Sequence, residues 1–314
     1  IQLFTKFMEN KNILIIGIGN IGSRYYEGLI KTNKKFKLFI YDKNKKKYFK
    51  DKKKFIYFLN NINDVCKINN FFLTTIATTA DERGSLLKKL KINSRYWILE
   101  KPLGSSFKQI NLIKKKFKLS NNAYINMPRE NWKIYKKIKK LIKNKKVQMR
   151  VIGTNWNLAS NSFHFFRLFE WINDSKLKSV DAKNINAWFS SKRKTYHEVD
   201  GSITAKLFNG SSCSLTSKKT IDNKKKYSVN LNSINNIVNY EEMTGKLKIN
   251  NKNYIYKIPL LSNEINHYYK QFLHKKKIYL PKVKNEILSH KMILKELQFN
   301  WKKKFKRKNK LKIT

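Results

Sequence analysis

The sequence predicts an α/β chain in two parts. Residues 1–124 are expected to form a doubly wound parallel sheet, and residues 125–314 an α+β domain with an open, mostly antiparallel sheet, C-terminal helices and a basic tail. Three observations carry this. Short apolar runs alternate with helix-periodic stretches over the first hundred residues, the texture changes after residue 147, and period-two alternation dominates from 185 onward.

Residues 12–17, NILIIG, are an apolar run closed by glycine, the pattern of a strand buried on both faces. The following IGSRYYEGLIKT places Ile21, Tyr25, Leu29 and Ile30 at helical spacing. KLFIYD at 37–42 and FFLTTIA at 71–77 read as the next strands, and a helix carrying Leu86, Leu87 and Leu90 leads into YWIL at 96–99. Such alternation implies parallel pairing with right-handed crossovers. Further on, VQMRVIGTNW reads as a strand and FHFFRLFEWI as a helix apolar almost all round, hence buried. Ile203, Ala205 and Leu207 then share one face, as do Cys213 with Leu215 and Val229 with Leu231, and NGSS at 209–212 is a hairpin turn. Helices near 262–276 and 285–304 precede the tail.

A chain of 314 residues suits two domains, and 41% hydrophobic content supports real cores. No stretch approaches the roughly 18 uninterrupted apolar residues of a membrane span. The opening IQLFTKFMENKNILIIG lacks a signal-peptide layout, with Met8 a candidate initiator. Cys66 and Cys213 provide neither a disulfide framework nor metal-ligand spacing, and His197, His267, His274 and His290 add none, so no metal is expected and a reducing cytoplasm is.

The formal charge of +50 suggests a nucleic-acid partner. Against that, arginine occurs only eight times, and arginine's planar fork is what base and phosphate readout favours. The lysines are spread along the chain with abundant Asn and Ile, as in KNKKKYFKDKKKF. They read as solvated surface shaped by a biased composition, with weak, salt-sensitive adhesion to polyanions and no specific nucleic acid.

GIGNIG at 17–22 sets Gly17, Gly19 and Gly22 in the G-x-G-x-x-G register. Gly17 permits a tight turn, Gly19 lets a pyrophosphate approach the backbone, and Gly22 permits close helix–strand packing, while the N–H groups at Asn20 and Ile21 open a helix toward the phosphates. A strand precedes the motif, a helix follows, and Asp42 ends the next strand twenty residues after Gly22, the context the dinucleotide fingerprint requires. Asp42 can accept from a ribose, favouring NAD, while Lys43 beside it leaves NADP open. A merely structural glycine turn is the plain alternative. At the end of the strand at 96–99, Glu100 and Lys101 arrive at the sheet's carboxyl edge, stopped by Pro102 and released by Gly104. A lysine there suits proton exchange with a substrate hydroxyl, the alternative being a solvated lysine at a strand tip.

GIGNIG, the TTIATTADERGSLLKKL unit and ILEKPLG together resemble the Gfo/Idh/MocA oxidoreductases. The resemblance covers essentially the whole chain. It implies a Rossmann domain followed by an open-sheeted α/β domain, hydride transfer between NAD(P) and sugars, inositols or related polyols, and a dimer or tetramer. It also implies that Lys101 is catalytic or substrate-orienting, that Glu100 borders the nicotinamide with Thr78 beside the cofactor, and that Pro102 fixes the turn through a cis bond.

The same resemblance expects an Asp and a His four residues apart on the buried helix, with another Asp three residues on. His164 matches, but Ser160 and Arg167 stand at the carboxylate positions. NWNLASNSFHF and the later SSKRKTYHEVDG resemble a branch associated with surface-polysaccharide sugars. Arg167, one turn from His164, would disfavour an imidazolium, or would pair with Glu170 or an anionic substrate group. Asn161, Arg129, Lys192, Arg193 and Tyr196 complete the candidate substrate contacts; a satisfied core histidine and an ordinary charged loop are the plain alternatives. The expected function is a cytoplasmic NAD(P)-dependent oxidoreductase acting on a sugar, sugar derivative or nucleotide-linked sugar, with Lys101 and His164 handling the hydroxyl proton. The rivals are a non-catalytic dinucleotide-binding protein of the same fold and a lysine-rich nucleic-acid binder.

Overall fold

The computed structural model describes residues 11–32, 36–44, 54–143, 145–193, 195–222, 224–274, 278–305 and 310–313. Met8 and residues 306–309 of the basic tail lie outside them. The described residues divide into two compact units, the first within Ile1–Gly104, Lys108–Asn126 and Leu260–Asn285, the second within Ser105–Phe107, Met127–Pro259 and Glu286–Thr314.

The first unit is a six-stranded sheet, every pair parallel, in the order β3-β2-β1-β4-β5-β6. Its strands are β1 (Lys11–Ile16), β2 (Phe36–Tyr41), β3 (Ile56–Leu59), β4 (Asn70–Ile76), β5 (Asn93–Leu99) and β6 (Ala123–Ile125). The helices are α1 (Asn20–Ile30), α2 (Ile62–Ile68), α3 (Arg83–Lys89) and α4 (Phe107–Lys116), the first residue of α4 being counted with the second unit. Strand order reverses between β1 and β4, and a doubly wound sheet binds ligands at the carboxyl end of such a switch point. The apolar run of β1 earns its central place: Ile13, Leu14, Ile15 and Ile16 are all buried.

The sequence reading assigns everything after residue 124 to the second domain, and here the chain differs. Segment 260–285 returns to the first unit, where helix α7 (Leu261–Leu273) packs on α1. Gly28 makes that approach possible, since a Cβ there would sit 2.5 Å from the Ser262 carbonyl oxygen and 2.8 Å from Ile265 Cβ. Tyr25 and Leu29 of α1, Ile265, Tyr268, Tyr269 and Phe272 of α7, and Ile13, Leu38 and Ile98 of the sheet form one buried cluster.

The second unit is a nine-stranded mixed sheet. Strands β7 (Gln148–Thr154), β8 (Leu177–Asp181), β9 (Ile185–Ser190), β10 (His197–Leu207), β11 (Ser212–Lys218), β12 (Lys226–Ser233), β13 (Asn236–Glu241), β14 (Lys246–Ile249) and β15 (Lys252–Ile255) run in the order β15-β14-β13-β12-β7-β11-β10-β8, with β9 also on β10. Every pair is antiparallel except β7 with β11. The period-two residues Ile203, Ala205, Leu207, Cys213, Leu215, Val229 and Leu231 are buried, and the 209–212 segment makes the β10–β11 hairpin with Gly210 at φ +83°. Helix α6 (Leu158–Asn173), which carries His164, covers β10 and β11; α5 (Lys133–Leu141) packs on α6, and α8 (Val283–Phe305) sets Trp301 edge-on to Trp188. No helix among the described residues is long and apolar enough to cross a membrane.

Candidate functional site

The glycine loop between β1 and α1 has the geometry its spacing requires. Gly17 adopts φ +89°, and a Cβ on it would meet the backbone of Ala77 and Thr78 at 2.9 Å. A Cβ on Gly22 would fall 1.9 Å from the Gly17 carbonyl oxygen, so only glycine lets α1 start this close to the loop. A Cβ on Gly19 would meet no other described residue within 4 Å, which leaves open space there. Gly19 is the N-cap and has no side chain to bond the first-turn N–H groups; Asn20 and Ile21 follow, Ile21 exposed. Such N–H groups, with the positive end of the helix dipole, are suited to an anion.

Asp42, just past the tip of β2, reaches back to this loop. Its Oδ2 accepts from the Ile18 N–H at 2.7 Å and its Oδ1 from the Asn44 N–H at 2.8 Å. Each oxygen retains acceptor capacity for a hydroxyl. Lys43 points to Glu82 at 3.6 Å.

At the tip of β5 the backbone turns through a cis Lys101–Pro102 bond. The Glu100 side chain, expected beside a nicotinamide, is buried and occupied: its Oε1 accepts from the Tyr25 hydroxyl at 2.8 Å and from Asn126 Nδ2 at 2.7 Å. Burial pushes this carboxyl up from its usual range, against the two hydrogen bonds and the charges of Arg83 and Lys101. Glu100 therefore anchors the turn, and Lys101, only partly buried, is the residue the turn presents. Arg83, which the sequence reading missed, is buried beneath this turn with its guanidinium on backbone carbonyls of Thr78, Glu100, Pro102 and Leu103.

In the second unit, His164 lies on α6 partly buried. No acidic residue occupies the first turn of that helix, yet a carboxylate reaches it from β10: Glu198 Oε2 accepts from the N–H groups of Ala159 at 2.8 Å and Ser160 at 3.3 Å. Sequence spacing along α6 could not reveal a carboxylate that comes from a strand. Asn161 donates its amide to the Trp156 carbonyl at 2.6 Å.

Both arginines expected at substrate are engaged by buried carboxylates. Arg129 forks onto Glu242 at 2.8 and 2.7 Å, and Tyr135 and Tyr227 also donate to that carboxylate. Burial alone would raise the Glu242 carboxyl, but Arg129 holds it below its usual range. Arg167 pairs with Glu130 and Glu286; Glu170, one of the partners the sequence offered for it, instead accepts from Ser289 and the Leu177 N–H. Lys192 and Arg193 are exposed in the β9–β10 turn, where Arg193 lies 6.0 Å from the ring of a buried Tyr196.

A dinucleotide fits the residues of the first unit. Besides the space over Gly19, two polar atoms, Thr78 Oγ1 and Asn126 Oδ1, are buried without a hydrogen-bond partner among the described residues. Buried groups of this kind are expected to find partners, and a bound ligand would supply them.

A parallel six-stranded sheet followed by this mixed sheet is the fold of Gfo/Idh/MocA-type dehydrogenases. Myo-inositol 2-dehydrogenase from Lactobacillus plantarum superposes with a TM-score of 0.69 at 15% identity, covering 93% of this chain and 97% of that one. Biliverdin reductase from Synechocystis, solved with biliverdin and NADP+, gives 0.66 at 13% identity, covering 91% and 98%. The transcriptional regulator Gal80p of Kluyveromyces lactis gives 0.72 at 14% identity, covering 95% and 94%. No protein-family model matches the sequence, and no curated protein sequence does.

Proposed function

We propose that the protein is an NAD(P)-dependent oxidoreductase acting on a CH–OH group of a sugar, sugar derivative or nucleotide-linked sugar. The observation that carries this is the carboxyl edge of the parallel sheet. The open Gly19 cradle, the Asp42 carboxylate and the Lys101 turn all stand on that one edge. The glycine loop and α1 would hold the pyrophosphate, and Asp42 a ribose, which favours NAD over a 2′-phosphorylated cofactor. A nicotinamide, when bound, supplies the hydride acceptor or donor. Lys101 takes or returns the hydroxyl proton, and His164 is the second candidate for that proton.

The test is a calorimetric titration of the folded protein with NAD(H) and NADP(H), followed by a screen of sugars and nucleotide sugars for turnover. Saturable binding with turnover on one substrate class is expected. No binding of either dinucleotide refutes the reading. Binding without turnover on any candidate substrate favours the non-catalytic alternative that Ser160 and Arg167 suggest.

A further inference from the structure

Arg83 is the first residue of α3, a position at which a basic side chain normally points to water. Here it is 1% exposed. Its Nη2 donates to the Thr78 carbonyl at 2.5 Å, and its Nη1 reaches the carbonyls of Glu100 and Pro102 and, at 3.3 Å, Leu103. One planar group therefore spans two loops at the carboxyl edge of the sheet, the one after β4 and the one after β5. The fork geometry of a guanidinium can do this, and the single nitrogen of an ammonium cannot.

The arginine is itself held. A Cβ on Gly84 would lie 2.4 Å from the Gln109 carbonyl oxygen, and one on Gly104 would lie 2.8 Å from Gln109 Cβ, so α3, the turn and α4 close tightly around Gln109. Gln109 in turn accepts from the Ser85 N–H at 2.9 Å and donates to Ser85 Oγ at 2.9 Å. On the far side of the turn, Tyr25 and Asn126 hold the Glu100 carboxylate.

We propose that Arg83 is a positioning residue: by fastening the Thr78 loop to the Glu100–Leu103 turn it sets where the Lys101 amine stands relative to the cofactor cradle. The proposal rests on the oxidoreductase reading for its catalytic half. A reacting group displaced by about an ångström loses on the order of 10²-fold in rate, and that is the loss expected when the fork is removed.

Arg83→Lys keeps the charge, Arg83→Met keeps much of the stem, and Arg83→Ala leaves a guanidinium-sized space. Backbone hydrogen exchange over 77–82 and 99–104 is compared with wild type, alongside kcat and KM well below the melting temperature. The expected result is faster exchange in both segments, a kcat reduced by on the order of 10²-fold with substrate KM little changed in Arg83→Lys, and partial recovery of Arg83→Ala by added guanidinium. A purely structural arginine would lower the melting temperature and leave kcat per folded molecule intact. Wild-type exchange in Arg83→Lys, or full kcat in that variant, overturns the proposal. If wild type binds no dinucleotide, the oxidoreductase reading falls with the catalytic half, and the exchange comparison still decides whether the clamp exists. Should the lysine and methionine variants fail to fold, unaltered kcat in Arg83→Ala without guanidinium overturns it equally.

Discussion

The Tyr25 hydroxyl donates to Glu100 Oε1 across 2.8 Å of protein interior, joining the helix that follows the glycine loop to the strand tip that presents Lys101. Tyr25 and Glu100 are both buried, and Asn126 is the other donor to the same oxygen. The helix that opens at the glycine loop and the turn that carries the lysine therefore share one carboxylate.

Tyr25→Phe removes that donor while keeping the ring. It leaves a buried carboxyl with one partner fewer, which is expected to cost about 1–3 kcal/mol. Urea denaturation monitored by fluorescence checks this, and an unchanged midpoint would show that the carboxyl recovers the bond elsewhere.

Asp42→Asn tests the ribose assignment. An amide keeps one oxygen for the Ile18 N–H but loses the charge and half the acceptor capacity. NAD(H) should weaken about 10–100-fold, the equivalent of one charge-assisted hydrogen bond, while NADP(H) gains relative to it. Calorimetric constants for both cofactors give the ratio, and an unmoved ratio removes Asp42 from the ribose.

Lys101→Met keeps much of the side-chain volume and discards the amine. Turnover should fall ~10²–10⁴-fold with cofactor affinity nearly intact, the range of general acid–base catalysis. His164→Asn should cost less if the histidine only orients substrate. Steady-state kinetics on the substrate found by screening compares the two, and full turnover in Lys101→Met refutes the role of the turn.

Glu286 predicts a pH effect on stability. Burial lifts its carboxyl from the usual 4.5 to about 7, with Arg167 and Lys176 opposing that rise and Glu170 and Glu130 adding to it. The folded state thus holds a proton that the unfolded chain releases. Its contribution is complete below about pH 4.5 and is lost as pH climbs to about 7. The loss is on the order of 3 kcal/mol at most, from 1.36 kcal/mol per unit. Between pH 5 and 8, the urea midpoint of wild type should fall more than that of Glu286→Gln; parallel curves would contradict the assignment.

The strands of the parallel sheet were legible because burial on both faces favours apolar runs: β1, β2 and β5 carry runs of four, and β4 carries Phe71–Leu73 ahead of two buried threonines. Strand β3, IYFL, is as apolar, but it is short and lies at the sheet edge with Tyr57 and Phe58 exposed, so its run does not mark a strand buried on both faces. β6 has only three residues, too short for any periodicity to register. The geometry of the glycine loop, and Asp42 at the end of β2 beside it, could be read because they depend on short spacings. Arg83, Glu198 and Glu242 could not be. Each works through partners 5 to 113 residues away, and nothing local distinguishes a buried charge from the many solvated ones around it.

The return of segment 260–285 to the first unit has a consequence for how the protein is made. Helix α7 supplies Ile265, Tyr268, Tyr269 and Phe272 to the cluster that buries Tyr25 and Leu29 of α1. A nascent chain emerges N-terminus first, and domains ordinarily fold as they emerge. Here the first unit lacks part of its apolar cover until more than 130 further residues have been synthesised beyond its last strand at Ile125. During that interval the face of α1 lacks this cover, and the strands of the second unit, all within its Met127–Pro259 segment, are synthesised before α7 is.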